Sequence, residues 1–250
     1  MQLKKNKYFK EILKDKDRLG FISAKELSNL DRQKALTFSF EDISLDITRQ
    51  LISSKQFAKL QMLGKAIGIE DKKKKLFDGS FINVTEDRCV THLLERKPNL
   101  AMEKAERYKS FISLLKQKKI KNLINVGIGG SDLGVKMVYH ALKNEGQGPS
   151  LVNISNLNVV KLKDVLKRID IRETFLIFNS KSFSTEETLV NLSFFKSMLT
   201  NEGIDVNDYA VAVTSSPEKA LEAGFKENAI FVVPKGVGGR FSIWSHFGLG

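Results

Sequence analysis

The chain has 250 residues, of which 42% are hydrophobic and 28% are charged, a composition typical of a globular protein with a substantial core. Its 41 Lys and Arg residues against 29 Asp and Glu residues leave a net charge of +12, which favours anionic partners. Without zinc-ligand spacing or interleaved arginines and aromatics, this charge indicates a solvated lysine-rich surface rather than a nucleic-acid interface. The single cysteine excludes an internal disulfide framework, and no apolar run reaches the about 20 residues that a membrane span needs. We therefore expect a cytoplasmic protein that binds neither nucleic acid nor membrane.

The first hundred residues predict a mainly helical segment with no obvious sheet of its own. Ser23-Ala24-Lys25-Glu26 has the spacing of a capping box, so a helix is expected to begin there. Alternating apolar residues between Phe38 and Ile47 indicate short extended pieces. Helical patterns then cover residues 51–63 and 102–115.

From residue 120 onward, short apolar runs alternate with helical patterns. Strands are predicted at residues 120–128, 151–154, 174–178, 209–213 and 229–233, and helices at 133–142, 160–169, 185–199 and 217–223. This alternation predicts an α/β fold with a doubly wound, mostly parallel sheet. We expect two domains, a helical segment over residues 1–105 and an α/β domain over residues 106–250.

A glycine-rich loop follows the first predicted strand, where parallel sheets bind ligands. The segment from Gly127 to Asp132 only partly matches the dinucleotide fingerprint, because Asp132 takes the place of the third glycine. It is not a Walker A loop either, since Val135 rather than lysine follows Gly134. A nucleotide is therefore not the favoured anion. By itself, the loop fits a tight strand-to-helix turn equally well.

A second loop, at residues 179–188, follows the predicted strand at 174–178. Four hydroxyl side chains and one lysine fall between Ser180 and Thr185, at the start of a predicted helix. Hydroxyls and free helical N–H groups together suit a phosphate dianion. The alternative is a helix cap with spare serines, but two anion-suited loops at one sheet edge favour phosphate.

A third loop places Gly238 and Gly239 beside Arg240, whose planar guanidinium suits oxyanions and developing negative charge. Taken by itself, this segment would be explained equally well by a surface arginine next to a loop. The histidines at 92, 140 and 246 are poor general-base candidates by position, and no pair has metal-ligand spacing. The sequence indicates neither a metal nor a cofactor.

Four segments, in order, resemble the amino-terminal half of the glucose-6-phosphate isomerase family. They are FDGSFINVTEDRCVTHLLER at 77–96, NVGIGGSDLG, SKSFSTEET and GGRFSIWS. The resemblance implies a sugar-isomerase fold, a homodimer, and cofactor-free interconversion of glucose 6-phosphate and fructose 6-phosphate through an enediolate, a step of glycolysis. It also implies site residues: Gly130 and Ser131 at the sugar phosphate; Ser180, Lys181, Ser182 and Thr185 around the phosphate; Arg240 at the enediolate; and Glu187 as the support of a histidine.

The resemblance covers half of the family's length. The family's proton-abstracting glutamate, ring-opening histidine and late lysine lie beyond the matching end, so we expect this chain to bind hexose 6-phosphate without turning it over. We also expect apolar faces to be exposed before about residue 105. Departures from the family pattern are Val135, Glu186, Lys235, His246 and Phe247. A non-catalytic sugar-phosphate-binding module is the main alternative, ahead of a nucleotide-dependent oxidoreductase and a basic nucleic-acid binder.

Overall fold

The computed structural model describes residues 3–14, 22–146 and 148–249. The chain divides into two compact units, Met1–Lys74 and Lys75–Gly250. The predicted domain boundary after residue 105 lies inside the helix Pro98–Gln117, because the helical pattern continues across it. The assignment of residues 1–105 and 106–250 to separate functional domains stays a prediction.

The first unit consists of short helices around one hairpin. Its elements are α1 (Lys7–Lys14), α2 (Ala24–Leu27), α3 (Leu30–Leu36), β1 (Thr37–Phe40), β2 (Ile43–Asp46), α4 (Ser54–Ala66) and the start of α5 (Ile69–Asp78). The predicted capping box is confirmed, since the Ser23 side chain accepts from the Glu26 backbone N–H and Glu26 caps in return. The extended pieces pair as the antiparallel hairpin β1–β2, so the expectation of no sheet here is wrong. Every residue of both strands is exposed, so the two faces of the hairpin do not differ in burial.

Large apolar side chains are exposed in the amino-terminal hundred residues, as expected. Phe40 is 72% exposed, Ile43 71%, Val84 87% and Met102 72%. Among the described residues, no helix is both long and apolar enough to cross a membrane.

The second unit carries the α/β architecture. Its strands are β3 (Ile82–Asn83), β4 (Arg88–Cys89), β5 (Asn122–Gly127), β6 (Ser150–Ile154), β7 (Thr174–Asn179), β8 (Ala210–Thr214) and β9 (Ile230–Val232). Its helices after α5 are α6 (Pro98–Gln117), α7 (Gly130–Leu142), α8 (Val159–Leu166), α9 (Glu186–Asn201), α10 (Val206–Tyr209) and α11 (Pro217–Glu222), with short 3-10 helices including Gly239–Trp244 and His246–Leu249. The predicted strands and helices of residues 120–233 are confirmed, with ends shifted by up to three residues.

Within the described residues, five of these strands form a parallel sheet in the order β6-β5-β7-β8-β9. Alternate side chains of each strand enter opposite cores. Leu176 and Phe178 pack on one face with Phe195 of α9. Phe175 packs on the other face with Phe111 of α6. Burial on both faces is the physical basis of the continuous apolar runs, and the doubly wound α/β prediction is confirmed.

Candidate functional site

The strand order brings the first two predicted loops together. The chain leaves β5, forms β6 on one side, and returns to form β7 on the other side of β5. Loops after β5 and β7 therefore diverge to opposite faces, which opens a crevice at the carboxyl ends of these strands. Gly127 of β5 lies beside Asn179 of β7 in the parallel register, so the glycine loop and the hydroxyl loop flank this crevice.

The hydroxyl loop forms a compact turn from Ser180 to Thr185, which we call the phosphate turn. Ser180 Oγ lies 3.4 Å from Thr185 Oγ1, and Ser184 Oγ donates to Ser182 Oγ at 2.8 Å. Thr185 occupies the N-cap position of α9 but makes no side-chain capping hydrogen bond. Its hydroxyl and the first N–H groups of α9 can therefore serve an anion, which argues against a simple helix cap.

Phe183 anchors the phosphate turn. It adopts a left-handed backbone conformation, with φ of 46°, that residues with a side chain rarely take. Its side chain is only 2% exposed, and its ring packs against Phe225 with centroids 5.8 Å apart. Burying this aromatic ring offsets the backbone strain, while the flanking Ser182 and Ser184 stay exposed.

The glycine loop lies against the arginine loop. Gly129 has φ of 58° and precedes α7, so a side chain there would be strained. A Cβ added to Gly130 would lie 2.4 Å from the Gly239 carbonyl carbon and 2.6 Å from its Cα. Ser242 Oγ also donates to the Gly130 carbonyl at 3.3 Å. The glycines therefore let two loops from distant parts of the chain meet backbone to backbone.

Cations line the same crevice. Burial lowers the pKa of Lys181, with a further contribution from the charge of Arg88. Arg88 pairs with Glu86, and this hydrogen bond is the main cause that lowers the pKa of the Glu86 carboxyl. Arg88 Nη1 also donates to the Lys235 carbonyl at 3.2 Å. Neither Glu86 nor Arg88 is among the predicted site residues, although both lie in the segment TEDR.

These groups enclose a cavity of about 570 Å³, which we call the crevice cavity. Its lining comprises Glu86, Arg88, Ile128, Gly130, Ser131, Asn179, Ser180, Lys181, Ser182, Thr185, Thr188, Ser215, Ser216, Lys235 and Gly239. Six predicted site residues are in this set: Gly130, Ser131, Ser180, Lys181, Ser182 and Thr185. Their convergence is consistent with an anion site, and their individual roles stay predictions.

The other two predicted site residues lie elsewhere. Arg240 is exposed and lines an adjoining cavity of about 220 Å³, which shares Glu86, Arg88, Lys181 and Gly239 with the crevice cavity. Glu187 lies in the first turn of α9, half-buried, and its carbonyl accepts from Asn191 Nδ2 at 2.8 Å.

Two of the histidines pack against aromatic rings. His92 stacks on Phe241 with ring centroids 4.4 Å apart, and burial lowers its pKa. His246 Nδ1 lies 3.0 Å from Tyr108 Oη, and burial is the main cause that lowers its pKa to about 4. The lowered pKa values favour neutral imidazoles at neutral pH, and His92 also lines the cavity of about 220 Å³ that contains Arg240 and Lys181.

Comparison with known proteins gives one consistent family. The model of the family described as "PGI: Phosphoglucose isomerase" matches residues 46–250. Glucose-6-phosphate isomerases from Chlorobium phaeobacteroides and Helicobacter pylori are 32% and 30% identical to this chain, covering 88% and 97% of it but 44% and 50% of their own lengths. A crystal structure of a glucose-6-phosphate isomerase from Chlamydia trachomatis superposes with a TM-score of 0.82 at 23% identity, over 99% of this chain and 52% of the other. This chain therefore spans about half the length of the curated relatives that it matches.

Proposed function

Because the chain belongs to the phosphoglucose isomerase family, we propose that its crevice cavity binds the phosphate group of a hexose 6-phosphate. The observation that carries this proposal is the convergence of hydroxyls, the uncapped N-terminus of α9 and a lysine on one cavity. Ser180, Ser182 and Thr185 supply the hydroxyls, and Lys181 supplies the charge. Each hydrogen bond to a charged group is worth about 1.5–3 kcal/mol, so three such bonds are sufficient to hold a small phosphorylated sugar.

The glycine loop has a matching part in this proposal. α7 begins at Gly130 beside the crevice without a side-chain cap, and the N–H groups of Ser131, Asp132 and Leu133 donate to the Ile128 and Gly129 carbonyls. Gly130 and the Ser131 hydroxyl would contact the sugar phosphate. Two helix N-termini at one crevice also favour negative charge through their dipoles.

We further propose that this chain belongs to a longer protein, and that the longer protein interconverts glucose 6-phosphate and fructose 6-phosphate in the cytoplasm as a homodimer. Arg240 would stabilise the negative charge of the enediolate, and Glu187 would orient a histidine. The exposure of Arg240 and its position next to the crevice cavity support the first role, since a permanently charged donor at the rim can reach a bound ligand.

For the 250-residue chain by itself, we propose binding without isomerisation, the behaviour of a sugar-phosphate-binding module. Within the described residues, the carboxylate on the wall of the crevice cavity is Glu86. Its hydrogen bond with Arg88 lowers its pKa, which makes it a weak proton acceptor. Removing a proton next to a carbonyl needs a positioned base with a pKa near the working pH.

Calorimetry with fructose 6-phosphate tests the binding proposal. We expect binding by the wild-type chain that weakens about tenfold or more in Thr185→Ala, through loss of one hydrogen bond to a charged group. Thr200→Ala is the matched control, because Thr200 is an exposed residue of the same helix. Equal affinity of Thr185→Ala and wild type would remove Thr185 from the site.

A coupled assay with the same preparation tests the second part of the proposal. We expect no conversion of fructose 6-phosphate to glucose 6-phosphate above the uncatalysed background. Turnover at ordinary enzymatic rates of about 1–10³ s⁻¹ would show that the chain itself carries a base, and would overturn the proposal of binding without isomerisation.

A further inference from the structure

The crevice cavity contains a buried hydroxyl to which the proposed phosphate site assigns no role. Ser215 is 6% exposed and lines the cavity, yet its Oγ has no hydrogen-bond partner within the described residues. Asn179 lines the same cavity, is 1% exposed, and its Oδ1 also lacks a partner there. Buried polar atoms are normally paired, so two unpaired atoms in residues that line one cavity point to a polar ligand.

The backbone fixes Ser215 beside the phosphate turn. Parallel pairing continues past the ends of β7 and β8, where the Ser180 N–H donates to the Val213 carbonyl at 3.0 Å. One step further, the Ser215 N–H donates to the Lys181 carbonyl at 2.9 Å. The Thr214 hydroxyl donates to the same carbonyl at 3.1 Å. Ser215 is thus held next to Lys181 by three bonds between strand ends, none of which uses its hydroxyl.

The two orphaned atoms have complementary chemistry. A serine Oγ–H can donate to a phosphate oxygen, which can only accept when fully ionised. The Asn179 amide nitrogen is already used, since it donates to Asn125 Oδ1 at 2.6 Å and to the Phe247 carbonyl at 3.3 Å. The Asn179 amide oxygen is an acceptor, and a sugar hydroxyl can donate to it. A ligand with both a phosphate and hydroxyls satisfies both atoms.

We propose that Ser215 is a further phosphate-binding residue, with its Oγ–H donating to a phosphate oxygen of the ligand. The inference rests on the proposed phosphate site and extends it from two strand ends to three, β5, β7 and β8. It has a consequence that a structural serine would not share. An unsatisfied buried hydroxyl destabilises the free protein, so its removal should leave stability unchanged or raise it while weakening the ligand.

The test compares Ser215→Ala with wild type by calorimetry, using fructose 6-phosphate, inorganic phosphate and fructose as probes. Ser197→Ala is the control, because Ser197 is exposed on α9 and its hydroxyl donates to the Ser193 carbonyl. We expect Ser215→Ala to weaken both phosphate-containing probes about tenfold. Its melting temperature should equal or exceed that of the wild type, and Ser197→Ala should bind as the wild type does.

Each other outcome overturns the inference in a distinguishable way. Wild-type affinity in Ser215→Ala overturns the role of Ser215 alone, while the proposed function stands. A weaker affinity together with a lower melting temperature assigns a structural role to the hydroxyl and overturns the inference. Failure of the wild-type chain to bind fructose 6-phosphate overturns the proposed function and this inference with it.

Discussion

Replacing Gly130 by alanine would test the contact between the glycine loop and the arginine loop. The added Cβ would lie 2.4 Å from the Gly239 carbonyl carbon, 2.6 Å from its Cα and 2.7 Å from its oxygen. All three atoms are backbone, so no flexible side chain can move aside. An ordinary contact at this Cβ is at least 3.4 Å, so the two loops must separate by about 1 Å.

The separation has a cost in stability and in binding. Overpacking of this kind typically costs about 1–3 kcal/mol, which lowers the melting temperature of a chain of this size by roughly 2–12 °C. Gly130 begins α7, so the shift also moves the helix N-terminus that faces the crevice. Losing one hydrogen bond to the ligand phosphate there would weaken fructose 6-phosphate binding about tenfold.

Thermal unfolding and calorimetry measure both effects, with Gly146→Ala as the control. A Cβ at Gly146 has no atom within 4 Å, so that variant should change stability by less than about 1 kcal/mol. Hydrogen exchange at residues 239–244 should quicken in Gly130→Ala and not in the control. If Gly130→Ala melts and binds as Gly146→Ala does, the backbone contact is not a constraint and the reasoning fails.

Two further predictions concern groups outside the crevice. Arg32 donates to backbone carbonyls at Thr48, Gln50 and Ile52, at 2.6–3.0 Å. A lysine at this position cannot donate to all three carbonyls, so Arg32→Lys should destabilise the first unit by about 1–3 kcal/mol. Hydrogen exchange at residues 48–52 should become faster, and unchanged exchange would contradict this prediction. The folded pKa of His246, about 4, lies below its ordinary value of 6.5, so the unfolded chain binds the proton first and stability should fall as the pH drops from 6.5 to 4. His246→Phe should flatten denaturant midpoints over that window, and an equal slope in both proteins would refute the assignment.

Local patterns predicted the strands, the helices and the hydroxyl turn. Residues 175–178 are apolar throughout because the strand is covered on both faces, and this pattern can be recognised from the strand's own residues. The cluster of hydroxyls from Ser180 to Thr185 is likewise contiguous in the sequence. This cluster indicated four of the residues that line the crevice cavity, Ser180, Lys181, Ser182 and Thr185, and the family resemblance added Gly130 and Ser131.

Contacts between distant segments were beyond such patterns. Arg88 reaches the Lys235 carbonyl across 147 residues, and Ser215 joins the phosphate turn only because β8 pairs with β7. The left-handed conformation of Phe183 was equally hidden, since it depends on burial of the ring against Phe225. The extended pieces between Phe38 and Ile47 were predicted, but their pairing as the hairpin of β1 and β2 was not.

The sequence by itself determined the alternation of strands and helices, the loop chemistry at the strand ends and the family resemblance. These properties depend on near neighbours, on side-chain periodicity and on the groups that each residue carries. Only the tertiary structure decided that the crevice lies between β5 and β7, that Arg88 and Ser215 enter it, and that Arg240 lines an adjoining cavity. Strand order and loop contacts follow from how helices pack on both faces of the sheet, and that free energy is shared among residues far apart in the chain.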